Sequence, residues 1–260
     1  VNVDERRRAL DELATEVAAC TRCPLHQGRT LAVPGEGHPD TEVVFVGEGP
    51  GFNEDQQGRP FVGAAGALLN DLMRQIGWKR QDVFITNVVK CRPPGNRDPE
   101  PYEIEACAPY LRRQLEILDP AVVVTLGRHS LGYFNPGARI GQTHGTVRPA
   151  DPETGAQNAT TYAMYHPAAA LRQNSRKQTM LEDMCGLPDA LLEARKRRTA
   201  AHSVDVEAPA VIHIEPDDAT DADRVAYEST VHESELVAVA IAAVSDEVVP
   251  IDENQMQLFG

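Results

Sequence analysis

Residues 42–51 read Glu-Val-Val-Phe-Val-Gly-Glu-Gly-Pro-Gly, and the fold turns on this stretch. Val43 to Val46 form an apolar, mostly β-branched run, too short for a helix and lacking the polar alternation of a strand that wets one face. It predicts a strand buried on both sides, ending in a glycine-rich turn where backbone can approach a ligand closely. Residues 83–87 (VFITN), 121–126 (AVVVTL) and 161–165 (TYAMY) have the same character. Helical spacing marks residues 5–19 through Leu10, Leu13 and Val17, and residues 64–76 through Leu68, Leu69, Leu72 and Ile76, with Gly77 as the stop. A third helical stretch, 99–118, carries Pro109, which removes a backbone hydrogen bond and is expected to interrupt it beside Cys107. Strands alternating with helices predict an α/β fold whose parallel sheet is covered on both faces. Ligands of such sheets sit beyond the carboxyl ends of the strands.

At 260 residues and 42% hydrophobic side chains the chain suits one large domain or two small ones. Its net charge of −14 is unevenly placed. Residues 1–198 hold 25 acidic and 24 basic side chains; residues 199–260 hold 14 acidic and one basic, Arg224. The near-neutral body can therefore carry local basic patches, at 172–177 and 196–198, and the acidity does not exclude a nucleic-acid partner. Residues 199–260 read as an acidic, disordered tail, with only 237–244 apolar enough for one short element. Residues 4–8 are charged where the apolar core of a signal peptide would begin, and no apolar run approaches the ~18–20 residues of a membrane span. A cytoplasmic location and no membrane partner are expected.

Four cysteines fall as Cys20-Thr21-Arg22-Cys23, Cys91 and Cys107. A close Cys-x-x-Cys pair with two distant thiols makes a four-thiolate cage, which on ligand softness suits iron–sulfur or zinc equally. The fifth, Cys185, reads as a small buried apolar thiol. After the first strand, Gly47-Glu48-Gly49-Pro50-Gly51 lacks the G-x-G-x-x-G spacing of a dinucleotide site, and Glu48 and Glu54 would repel a phosphate. They suit an uncharged ligand or a reaction that develops positive charge.

Taken with Gly58-Arg59-Pro60-Phe61-Val62-Gly63, Asn87-Val88-Val89-Lys90-Cys91-Arg92-Pro93-Pro94 and His166-Pro167-Ala168-Ala169-Ala170-Leu171-Arg172, the first motif resembles the family 4 uracil-DNA glycosylases over about residues 15–190. The resemblance implies a three-layer α/β/α sandwich with a central four-stranded, mainly parallel sheet. It also implies a [4Fe–4S] cluster on Cys20, Cys23, Cys91 and Cys107, within a catalytic domain spanning residues 1–198. The implied reaction hydrolyses the N-glycosidic bond of deoxyuridine in single- or double-stranded DNA and starts base-excision repair. Such an enzyme must flip the nucleotide out, hold the base, stabilise a cationic sugar and a departing anion, and supply water.

Each task then has a candidate. Asn87 offers an amide donor to uracil O4 and an acceptor to N3–H, a pattern that cytosine reverses. Phe61 stacks on the flipped ring, and His166 hydrogen-bonds O2 where negative charge gathers. Glu48, beside Gly49, positions or deprotonates water, or stabilises the cationic sugar; Glu54 sits beside C5 against thymine's methyl. Leu171 and Arg172 form a wedge into the duplex, with Arg172, Arg176 and Lys177 on phosphates. Read singly, these residues would be core, cap or solvated face; the motifs together give them their roles. The cage is read as structural, fixing Asn87 and the loop 90–97, which is expected to face DNA. The end, Gln255-Met256-Gln257-Leu258-Phe259-Gly260, looks like the short peptides that dock on sliding clamps. The protein is expected to be a monomer associated with the nucleoid. The competing readings are a non-catalytic iron–sulfur DNA-binding or replication accessory protein and a nucleotide-binding oxidoreductase.

Overall fold

A computed structural model describes residues 2–204. Helix α1 (Val3–Ala19) starts at Asn2, whose side chain accepts the Glu5 N–H while the Glu5 carboxylate accepts the Asn2 N–H, each at 2.9 Å. There follow α2 (Leu25–Gly28), β1 (Glu36–Gly37), β2 (Val43–Gly47), α3 (Phe52–Gln57), α4 (Ala64–Gln75), β3 (Phe84–Asn87), α5 (Pro101–Leu118) and β4 (Val122–Leu126). The chain continues through α6 (Arg128–Phe134), α7 (Ile140–Thr143), β5 (Val147–Pro149), β6 (Thr160–Met164), α8 (Pro167–Ala170) and α9 (Asn174–Val204).

The sheet runs β1-β3-β2-β4-β6-β5. Its inner strands β3, β2, β4 and β6 are parallel and are the four expected from the sequence. Two antiparallel edges, β1 on β3 and β5 on β6, widen it from four strands to six. At two and three residues these edges are too short to leave a periodic signal.

Alternate residues of the buried strands feed two separate cores. Val43, Phe45, Ile85, Val122 and Val124 pack with Leu69 and Met73 of α4 and Met184 and Leu187 of α9. Val44, Val46, Phe84 and Val123 pack with Leu13 and Val17 of α1 and Leu111 and Leu115 of α5. Period-two alternation with both faces apolar is what gives the three-layer α/β/α sandwich. Among the described residues no helix is long and apolar enough to cross a membrane.

Two expectations need correction. Helix α5 is not interrupted: it passes unbroken through Pro109, whose freed carbonyl partner belongs to the exposed Glu105, where water can take the place of the lost bond. Cys185 is exposed, because it lies on the outer side of α9 while its neighbours Asp183 and Met184 are buried. Helix α9 runs past Arg198 to Val204, the last of the described residues. The segment 237–244 and the peptide Gln255–Phe259 lie outside the described residues.

One close approach fixes the loop that feeds α4. Phe61 has φ of 50°, and its carbonyl lies where a side chain on Gly66 would stand, 1.8 Å from an ideal Cβ. Gly66→Ala should therefore shift both helix and loop, costing about 1–3 kcal/mol in thermal or denaturant unfolding. Parental stability in Gly66→Ala would contradict this packing.

Candidate active site

The strand tips of β2 and β3 set the geometry. The strands pair in register with Gly47 opposite Asn87, and the zipper continues past their ends. Val88 N–H donates to Gly47 O at 3.0 Å and Val89 N–H to Glu48 O at 3.1 Å. A Cβ on Gly47 would lie 2.4 Å from Asn87 Oδ1 and 2.6 Å from the Phe61 ring, so no side chain fits there. Asn87 is 1% exposed, and its Oδ1 is buried without a hydrogen-bond partner. An orphaned acceptor of this kind costs about 1–3 kcal/mol until something donates to it.

Phe61 lies beside that acceptor at Gly47, and His166 lies beside Phe61. Their ring centroids are 5.6 Å apart with planes tilted by 31°. The Phe61 loop is held by Glu54, whose Oε1 accepts the N–H groups of Val62 and Gly63, both at 2.9 Å. His166 caps α8: its Nδ1 accepts the Ala168 N–H at 3.2 Å. With the Nδ1 lone pair so used, the neutral ring carries its proton on Nε2 and is a donor there. Burial drives the His166 pKa down to about 4, with nearby Glu54 pulling the other way, so the ring is neutral at physiological pH.

Glu48 is half-buried after β2. Burial pushes its pKa up, His129 opposes, Asp98 adds to the rise, and Arg128 opposes. Glu48, Gly49, Glu54, Phe61, Asn87, His166, Arg172 and Arg176 all line one cleft of about 610 Å³, a volume typical of small-ligand sites. Leu171 stands beside them, 53% exposed. Lys177 does not join this group; it lines a separate hollow with Leu68, Leu72 and Leu181, between α4 and α9. The cleft also takes in Tyr165, Gly127 and Arg128, none of which the motifs marked. The strand-end rule could have found Gly127 and Arg128, since residues 121–126 were already read as a strand.

Cys20, Cys23, Cys91 and Cys107 line a single small space between α1, the loop after β3 and α5. Three of the sulfurs accept N–H bonds: Cys91 from Arg29 Nη1 at 3.1 Å, Cys107 from Lys90 N at 3.3 Å, and Cys20 from Arg22 N at 3.5 Å. The expectation that the loop 90–97 faces DNA fails for its first residue. Lys90 is 1% exposed, and its Nζ donates to Thr86 Oγ1 at 2.6 Å, Asn87 O at 2.7 Å and Gln114 Oε1 at 2.7 Å. Residues 94–97 are exposed.

The uracil DNA glycosylase superfamily model matches residues 34–185. The chain is 48% identical over 181 residues to a type-4 uracil-DNA glycosylase of Sulfurisphaera tokodaii, covering 67% of this chain and 81% of that one. It is equally similar, at 48% over 181 residues, to a type-4 uracil-DNA glycosylase of Thermotoga maritima, covering 68% and 93%. A type-5 uracil-DNA glycosylase of Pyrobaculum aerophilum is more distant, 30% identical over 61% of this chain and 82% of its own.

In nitrogen-resolved NMR, His166 should be the neutral Nε2–H tautomer at neutral pH and titrate with a midpoint of about 4. A midpoint near the ordinary 6.5 would show that burial does not govern this ring.

Proposed function

The chain belongs to the uracil DNA glycosylase superfamily, and from that premise we propose how its own side chains divide the work of excising uracil. The reaction is hydrolysis of the bond between uracil and deoxyribose in DNA, the first step of base-excision repair. The target nucleotide is flipped out of the stack and its base enters the cleft.

The observation that carries the assignment is Asn87 Oδ1, buried, partnerless and beside Phe61, in the cleft that His166 also lines. Uracil N3–H is a donor of the right kind for it, while neutral cytosine presents an acceptor at N3 and leaves both groups unpaired. Phe61 supplies the apolar face against which the ring stacks. His166, neutral and protonated on Nε2, donates to O2 as the glycosidic electrons move onto the base. A neutral donor stabilises that anion without handing over a proton prematurely. Glu48 faces the sugar side; as a carboxylate it accepts a hydrogen from the attacking water and offsets the positive charge on the sugar. Glu54 shapes the Phe61 loop and lines the cleft where uracil's C5 would lie. Arg172 and Arg176 contact phosphates, and Leu171 occupies the gap left in the stack.

Cys20, Cys23, Cys91 and Cys107 would hold a [4Fe–4S] cluster. The N–H bonds to three of them suit anionic sulfur. When bound, the cluster would supply cross-linking of α1 to the arm that carries Asn87, and no chemistry on the substrate. We extend the proposal to a monomer acting on chromosomal DNA in the cytoplasm.

A duplex with one deoxyuridine tests this reading through the alkali-labile abasic sites it yields. Glu48→Gln should lower the single-turnover rate by about 100-fold or more, and Asn87→Asp should lower uracil release while raising release of cytosine. Unchanged selectivity in Asn87→Asp would remove that residue from base reading. Cys107→Ser should lose bound iron, its visible absorption and thermal stability together. Retained stability without iron would contradict a structural cluster.

A further inference from the structure

Three neighbouring strand tips deliver an acid or base group each to one point at the edge of the cleft. Glu48 follows β2, Asp98 lies in the loop between β3 and α5, and His129 is the second residue of α6, after β4. His129 Nε2 is 3.8 Å from Glu48 Oε2 and 3.4 Å from Asp98 Oδ1, and the three atoms lie within 4.8 Å of one another. Arg128 closes the group: its Nε donates to His129 Nε2 at 3.0 Å, and its Nη2 pairs with Asp98 Oδ2. The side chains of His129 and Glu48 are 20% and 30% exposed, so solvent screens them only in part.

This matters because a carboxylate that must act on water has to stay ionised, while its half-buried position favours the neutral acid. The charged and titratable groups facing Glu48 are His129 and Arg128 from α6 and Asp98 from the loop ahead of α5. Two of them favour the carboxylate and one opposes it, and Arg128 ties Asp98 down so that its charge is partly spent elsewhere. His129 is the adjustable member. Neutral, its Nε2 accepts from Arg128; protonated, the same nitrogen turns donor and faces both carboxylates at once.

We propose that His129 and Arg128 are positioning residues for the reaction, holding Glu48 ionised and aimed at the sugar face, with Asp98 as their anchor. The inference rests on the reading of Glu48 as the carboxylate that acts on water. It assigns a role to the segment 127–129 that the glycine-rich, Asn87 and His166 motifs leave without one.

The test is the pH profile of single-turnover uracil release by the full protein. Loss of a cation at this distance should favour the neutral acid of Glu48, so His129→Ala should move the acid limb up by ~0.5–1 pH unit and recover most of the parental rate on the alkaline side. Arg128→Ala should move it the same way. Asp98→Asn should move it down, since a like charge is removed. A purely structural role for these residues predicts a drop that is the same at every pH, and that result, with folding confirmed by circular dichroism, would overturn the proposal. Glu48→Gln separates the two layers. If it keeps full activity, the reading of Glu48 fails; if it is inactive while His129→Ala and Asp98→Asn leave the limb in place, only the present inference fails.

Discussion

The parallel pairing that sets Gly47 against Asn87 is the constraint on which the site depends. Side chains of a strand alternate between faces, so a slip of one residue would turn Asn87 into the sheet and put Val88 in the cleft. The register is held on both sides. Upstream, Val43 to Val46 are buried in two different cores that tolerate no exchange of faces. Downstream, the hydrogen bonds from Val88 and Val89 carry the zipper to Glu48 itself. Asn87, the proposed base reader, and Glu48 are therefore parts of one backbone ladder, and the missing side chain at 47 leaves room for both Asn87 and Phe61.

Holding a partnerless amide oxygen in the interior works against stability, and the surroundings show what offsets it. Lys90 donates into the Asn87 carbonyl, Thr86 and Gln114, and the Gln114 side chain in turn donates to Pro34 O at 2.6 Å. One residue further on, Cys91 begins the thiol arm. A cluster bound there would lock α1, α5 and the strand tip into one piece, so that the cleft meets an extruded base already shaped. Preorganisation of this kind is where discrimination arises: the wrong base finds buried groups that cannot move to meet it.

How much of this was legible in the chain depended on the range of the physical signal. The four inner strands announced themselves because burial on both faces demands unbroken apolar runs, and each lies within one residue of its expected place. The cleft residues Glu48, Asn87 and His166 came from motifs that resemble a known family, with the strand-end rule in agreement, and the fold brings them together. The failures share a cause. Lys90 reads as a surface cation in sequence, and its burial follows from a hydrogen-bond set supplied by Gln114, 24 residues away. Asp98 and His129 carry no local pattern; only the sheet order makes them neighbours. Cys185 was misplaced because composition says how often a thiol is buried and nothing about which side of a helix it occupies.

A crystal structure of the protein with a duplex carrying a fluorinated, uncleavable deoxyuridine tests the central claim most directly. The account predicts the flipped uracil lying against Phe61, its N3 about 2.9 Å from Asn87 Oδ1 and its O2 on His166 Nε2. A uracil bound elsewhere, with Asn87 Oδ1 still lacking a donor, would contradict it.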